Sequence, residues 1–157
     1  MTTFDFGNGP VPAHQHANGG GWVADTASVA DSAYIGPDAR VFDNARVSGN
    51  VQVFGNAVVY GNAWVSDNAW VSDNAQIYGD ALVFDNAQIY GNAQVSDNAQ
   101  IYGNAQVSGN AVVSGDAWVS DNAWVHGDSQ VSDNARVSGD AWVYGNDTVF
   151  GDARVYE

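Results

Sequence analysis

Residues 89–112, IYGNAQVSDNAQIYGNAQVSGNAV, decide the fold. An aliphatic residue opens each hexad of this stretch. Counting outward in sixes meets Val or Ile at every step from Val23 to Val155, with no insertion or deletion. The 23 positions hold 19 Val and four Ile (Ile35, Ile77, Ile89, Ile101). The fourth residue after each is Ala in 19 of 22 repeats, the exceptions being Val51, Ser129 and Asp147. A six-residue spacing drifts around a helix of 3.6 residues per turn and leaves no apolar stripe. A β-branched residue followed by a Gly/Asp–Asn/Asp pair instead spells a short strand and a tight corner. Those pairs supply residues that tolerate positive φ. Strand alternation then points Ala and the aliphatic residue inward, and the residues on either side of the aliphatic outward. One such strand cannot bury its inner face alone, whereas stacked coils can, around a narrow core of Val and Ala columns.

This pattern resembles the hexapeptide-repeat family of left-handed parallel β-helices. The GNA- and DNA-rich variant is similar to tandem-repeat proteins of bacteria and phages more than to the family's enzymes. The resemblance implies an all-β, left-handed parallel β-helix: a triangular β-solenoid of about 18 residues per coil and about 7.5 coils, spanning residues 22–157. At ~4.8 Å per coil it is a rod of roughly 35 Å. Residues 1–21 lie outside the repeat. Their Gly and Pro content reads as irregular backbone, with Phe4 and Phe6 alternating as a short strand over one end, so this segment is expected to be an N-terminal cap or a tail.

Composition narrows the partners. The formal net charge is −14, all four cationic side chains are arginines, and there is no Cys. A disulfide framework and thiolate metal sites are thereby excluded. The surface should repel nucleic acid and anionic membrane. No apolar run approaches the roughly 18 residues of a membrane span. The N-terminal residues lack the basic and apolar regions of a secretory leader, so a cytoplasmic protein is expected, with a phage particle or a non-classical export route as alternatives.

Read modulo 18, the outward positions form three faces. The third is the most aromatic, with Tyr34, Phe54, Trp70, Tyr90, Trp124, His126, Trp142 and Tyr144, and it places Trp124 and Trp142 as stacked neighbours. Outward Trp residues add nothing to the core and suggest a partner surface. Ring ladders that merely stabilise exposed strands are the plainer account. The expected partner is a second copy, giving a homo-oligomer or a filament joined by faces or end to end; another protein or a glycan is the alternative. Asp80, Asp97, Asp116, Asp133 and Asp152 put one carboxylate per coil on one corner, alternating between the two turn positions. This acidic edge has the chemistry for weak Ca²⁺ binding, though not the spacing of a dedicated loop. No firm cofactor or metal follows. His14 and His16 would project on one side of an extended segment, a candidate two-ligand half-site.

Enzymes of the family are mostly acyltransferases using CoA or acyl-carrier substrates. The resemblance places their His base near a loop leaving the coil. Here the repeat has no insertion and a single His, His126. The expectation is therefore a non-enzymatic structural or binding rod. An acidic mimic of DNA directed at a basic nucleic-acid-binding protein, an acyltransferase-like enzyme and a glycan-binding surface are the alternatives.

Overall fold

A computed structural model describes residues 1–157. There is no helix; the chain is a parallel β-solenoid preceded by a hairpin. The repeat supplies one short strand per hexad, beginning with β3 (Trp22–Ala24). Each strand pairs in parallel with the strand 18 residues on, as Trp22 with Arg40 and Arg40 with Val58. Three sheets result, and the strands of the solenoid contribute eight, eight and seven members to them. Coils are tied by bonds such as Arg40 N–H to the Ala57 carbonyl and Phe42 N–H to the Val59 carbonyl, both 3.1 Å.

The inward columns form one continuous core of 39 buried residues, all of them Val, Ile or Ala. Ile77, Ala81, Val83, Ala87 and Ile89 are wholly inaccessible, as the alternation requires. Val51 fits the same column. Ser129, also wholly buried, donates its hydroxyl to the His126 carbonyl at 2.9 Å, which removes the cost of an unpaired polar group. Asp147, which breaks the Ala column, has an exposed side chain, and its carbonyl still accepts Gln130 N–H at 2.9 Å.

From Asp43 onward every corner turns through a left-handed residue; the three before it, at Asp25, Asp31 and Pro37, do not. Gly takes that position at twelve of these corners, and Asp at seven: Asp43, Asp67, Asp73, Asp85, Asp97, Asp121 and Asp133, with φ between 57° and 64°. Asp is admissible because its short polar side chain compensates locally for the strained backbone. Its carboxylate accepts the N–H of the residue 18 further on, as Asp73 Oδ2 does from Gly91 at 3.0 Å and Asp97 Oδ2 from Gly115 at 3.0 Å.

The following turn position builds a second device. Asn side chains donate from coil to coil along each edge, always toward the C-terminus. On the second corner the run Asn50, Asn68, Asn86, Asn104, Asn122, Asp140 has successive bonds of 3.5, 3.4, 3.3, 3.1 and 2.9 Å. On the third, Asn56, Asn74, Asn92, Asn110, Asp128 has bonds of 3.2, 3.0, 2.9 and 2.8 Å. Asp ends each run because an ionised carboxylate has no proton to pass on.

The N-terminal segment is ordered as a hairpin. β1 (Thr3–Asp5) pairs antiparallel with β2 (Pro10–Gln15), and β2 pairs antiparallel with β3. Residues 16–21 then run along the first strand of the third face. Gly21 N–H bonds the Ile35 carbonyl and Ile35 N–H the Asn18 carbonyl, both at 2.9 Å. The approach is close enough that a Cβ on Gly21 would collide with the Gly36 carbonyl oxygen and the Ile35 side chain. Phe4 stacks on Trp22 at 4.6 Å and Phe6 on Phe42 at 4.8 Å, so the hairpin lies against the first face and not only over the end of the rod.

Candidate functional site: the outward faces and corners

Apart from Asp5 in the hairpin and Asp147, every acidic residue occupies one of the two turn positions. The flat faces therefore carry none. The first face holds Arg40, the second holds Arg46, Arg136 and Arg154, and the third holds no Asp, Glu, Arg or Lys. None of the four guanidinium groups joins an ion pair; the one contact between a basic and an acidic side chain is His14–Asp25 at 2.9 Å. Arg136 instead lies 4.5 Å from the Trp118 ring centroid and Arg40 5.7 Å from that of Phe4.

The longest ring stack is on the first face, not the third. Phe6, Phe42, Tyr60 and Tyr78 follow one another at 4.8, 5.0 and 5.0 Å. Burial in this stack, then the neighbouring Tyr78 and Asp43, push the Tyr60 phenol above its ordinary value of 10.0. The eight aromatic and imidazole residues expected on the third face are all there but form separate groups. Phe54 meets Trp70 at 5.4 Å. Tyr34 stands apart near the hairpin, and Tyr90 donates its hydroxyl to Gln106 at 3.2 Å. Trp124, His126, Trp142 and Tyr144 make the one dense cluster. The column after the aliphatic reads Phe54, Ser72, Tyr90, Ser108, His126, Tyr144, and the serines interrupt any continuous ladder. Those serines are covered by their neighbours; Trp124 Nε1–H donates to Ser108 Oγ at 3.3 Å.

Trp124 and Trp142 are register neighbours but not stacked. Their rings meet edge to face, 5.2 Å apart at 69°. The ring quadrupole favours this arrangement over a face-to-face sandwich. His126 lies 5.1 Å from Trp124 and stacks on Tyr144 at 5.8 Å, and its Nε2 is buried with no hydrogen-bond partner. Trp142 and Tyr144 remain more than half exposed, at 58% and 56%.

The histidine half-site does not form. His14 is exposed and its Nδ1 meets Asp25 Oδ1, while His16 is buried and its Nε2–H donates to the Ala33 carbonyl at 2.9 Å. β2 ends at Gln15, so the strand alternation that would align the two imidazoles does not extend to His16. The acidic edge is where the sequence places it, and its carboxylates are engaged in the corners. Asp97 and Asp133 accept Gly115 and Gly151 N–H; Asp80, Asp116 and Asp152 accept from Asn62, Asn98 and Asn134. No group of three or more His, Cys, Asp or Glu side chains is placed to hold a metal. The amide ladders are the feature missed in the sequence; Asn recurring at one turn position every 18 residues is their signal.

A hexad strand, an αL corner and an 18-residue register define a parallel β-solenoid repeat protein. The chain belongs to the YdcK β-solenoid repeat family, whose model matches residues 39–53, 51–67, 75–91, 87–103, 99–115, 105–121 and 129–145, together more than half of the chain. Among solved structures it is similar to PerB from Caulobacter crescentus in complex with CoA and GDP-perosamine, at 15% identity and a TM-score of 0.47, over 77% of this chain and 54% of that one. It is also similar to LpxA from Acinetobacter baumannii, at 15% identity and a TM-score of 0.39, over 83% of this chain and 67% of that one. The chain thus spans about half the length of PerB. No curated protein sequence matches it. These likenesses concern the fold. One expectation is corrected all the same: the exclusion of an enzyme, drawn from the lack of an insertion and of a second His in the repeat, does not stand.

Proposed function

We propose that this β-solenoid repeat protein is a structural and binding rod that packs side by side with a second copy through its third face, centred on Trp124, His126, Trp142 and Tyr144. The observation that carries this reading is that the third face bears no Asp, Glu, Arg or Lys on a chain of net charge −14. Two such rods repel, and screening leaves a range of roughly 8 Å at physiological salt. Contact is favoured where the carboxylates are furthest from the interface, and the corners hold them off this face. Exposed Trp and Tyr are the side chains that most often anchor protein interfaces. Covering the exposed part of Trp142 would contribute about 3 kcal/mol. That is less than the roughly 4–15 kcal/mol lost on association, so the whole cluster has to act together.

Sedimentation velocity at tens of micromolar tests this. Oligomers should form and should increase with added salt, because screening relieves the repulsion between rods. The Trp124→Ala/Trp142→Ala variant should sediment as a monomer. Monomers of the parent chain at every salt concentration, or an unchanged oligomer in the double variant, would refute the reading.

A further inference from the structure

The hexad WVSDNA occurs three times, at residues 64–69, 70–75 and 118–123. In each copy the Trp is the outward residue before the aliphatic and the Ser the outward residue after it. The Asp takes the left-handed turn, with φ of 64°, 59° and 60° at Asp67, Asp73 and Asp121. The copies differ in what the next coil lays beside the Trp. Beside Trp118 it is Arg136, in register, with its guanidinium 4.5 Å from the ring centroid. Beside Trp64 it is Leu82, and beside Trp70 it is Gln88.

At those two places the surface opens into recesses of nearly equal volume, about 210 and 190 Å³. The first is lined by Trp64, Ser66, Asp67, Leu82 and Phe84. The second is lined by Trp70, Ser72, Asp73, Gln88 and Tyr90. No recess forms at Trp118, where Arg136 lies on the ring. The protein thus contains one filled and two open versions of the same site, and the filled version shows which group fits.

We infer that the Trp64 and Trp70 recesses receive arginine side chains of a basic partner protein. A guanidinium is planar and weakly hydrated, and it stacks on an indole face as a hydrated ammonium does less well. Each recess adds a second wall, Phe84 or Tyr90, and a carboxylate, Asp67 or Asp73. Those carboxylates use one oxygen on the next coil's backbone, Oδ2 of Asp67 on Asp85 N–H and Oδ2 of Asp73 on Gly91 N–H. The net charge of −14 draws a basic segment toward the rod, which favours a basic partner as the occupant. The two recesses flank the corner at Asp67–Asn68, so one segment laid across that edge engages both and gains avidity. They lie three coils, roughly 14 Å, from Trp124, and the site does not depend on the self-association proposed above.

Titration with an oligo-arginine peptide and an oligo-lysine peptide of equal length, followed by Trp fluorescence at physiological salt, tests the inference. The arginine peptide should bind about tenfold more tightly. Leu82→Arg/Gln88→Arg, which copies the Arg136–Trp118 pair into both recesses, should abolish that preference. Gln94→Arg/Gln130→Arg adds the same charge on the first face and should keep it. The preference should also persist in Trp124→Ala/Trp142→Ala, which separates this site from the third-face cluster. Equal binding of the two peptides overturns the inference. So does undiminished preference in the filled variant, or its loss in the Trp124→Ala/Trp142→Ala variant.

Discussion

Replacing Gly91 by Asp should disturb this protein less than replacing it by Ala, although Asp is the larger side chain. Gly91 turns the third corner with φ 69°, and a Cβ there would stand 2.9 Å from Gly109 N and 3.0 Å from its carbonyl oxygen. Gly91→Ala therefore takes on the left-handed penalty of about 1–2 kcal/mol, and the neighbouring coil must yield by a few tenths of an ångström. Gly91→Asp meets the same crowding with a remedy that the chain already uses one coil earlier. Asp73 at that corner has φ 59°, and its Oδ2 accepts Gly91 N–H at 3.0 Å. An Asp at position 91 would accept Gly109 N–H in the same way. A hydrogen bond to an exposed charged acceptor contributes about 1 kcal/mol net. For a chain of this size 1 kcal/mol corresponds to roughly 2–4 °C. Thermal unfolding followed by circular dichroism should show Gly91→Ala lowered by about 3–6 °C and Gly91→Asp within about 2 °C of the parent. Gly91→Asn, a weaker acceptor that also tolerates the conformation, should fall between them. A Gly91→Ala variant as stable as Gly91→Asp would refute the account of Asp as a corner residue.

Two further outcomes follow from the core and from the ring stack. Ile101 is wholly buried mid-rod, so Ile101→Ala should lower stability by about 2–5 kcal/mol in urea unfolding, against less than about 0.5 kcal/mol for outward Gln100→Ala. The Tyr60 phenol is raised above 10.0, so above that pH the folded chain holds a proton that the unfolded chain has lost, and stability falls with rising pH there but not below. Tyr60→Phe should flatten that alkaline decline in urea midpoints; an identical slope in parent and variant would rule out the assignment.

The inward columns were legible because each hexad encodes them by itself. A β-branched residue, a pleat and a corner decide that Val95 and Ala99 face in and that Gln94 faces out. What escaped the sequence depends on residues one coil or more apart. Phe6 meets Phe42 only because β2 adds to the first sheet in antiparallel fashion, and no repeat announces that pairing. Likewise, His16 leaves the side of the hairpin taken by His14 because its partner is the Ala33 carbonyl on the third face. The edge-to-face meeting of Trp124 and Trp142 depends on His126 and Ser108 as neighbours and not on spacing. Of the candidate site, therefore, membership of the third face was readable and the grouping within it was not.

The asparagine runs have an electrical consequence. All the side-chain amides in one run point the same way, so their dipoles add along the rod as peptide dipoles add along a helix. The positive ends are directed to the C-terminus, and each run there meets a carboxylate: Asp140 on one edge, Asp128 on another. The bonds shorten toward that carboxylate, from 3.5 to 2.9 Å on the second corner, as expected when a terminal charge polarises the donors behind it. The placement of these acids thus has a cause apart from solubility or partners. The rod has a head and a tail electrostatically, so two copies lying antiparallel would cancel their axial dipoles and two lying parallel would add them.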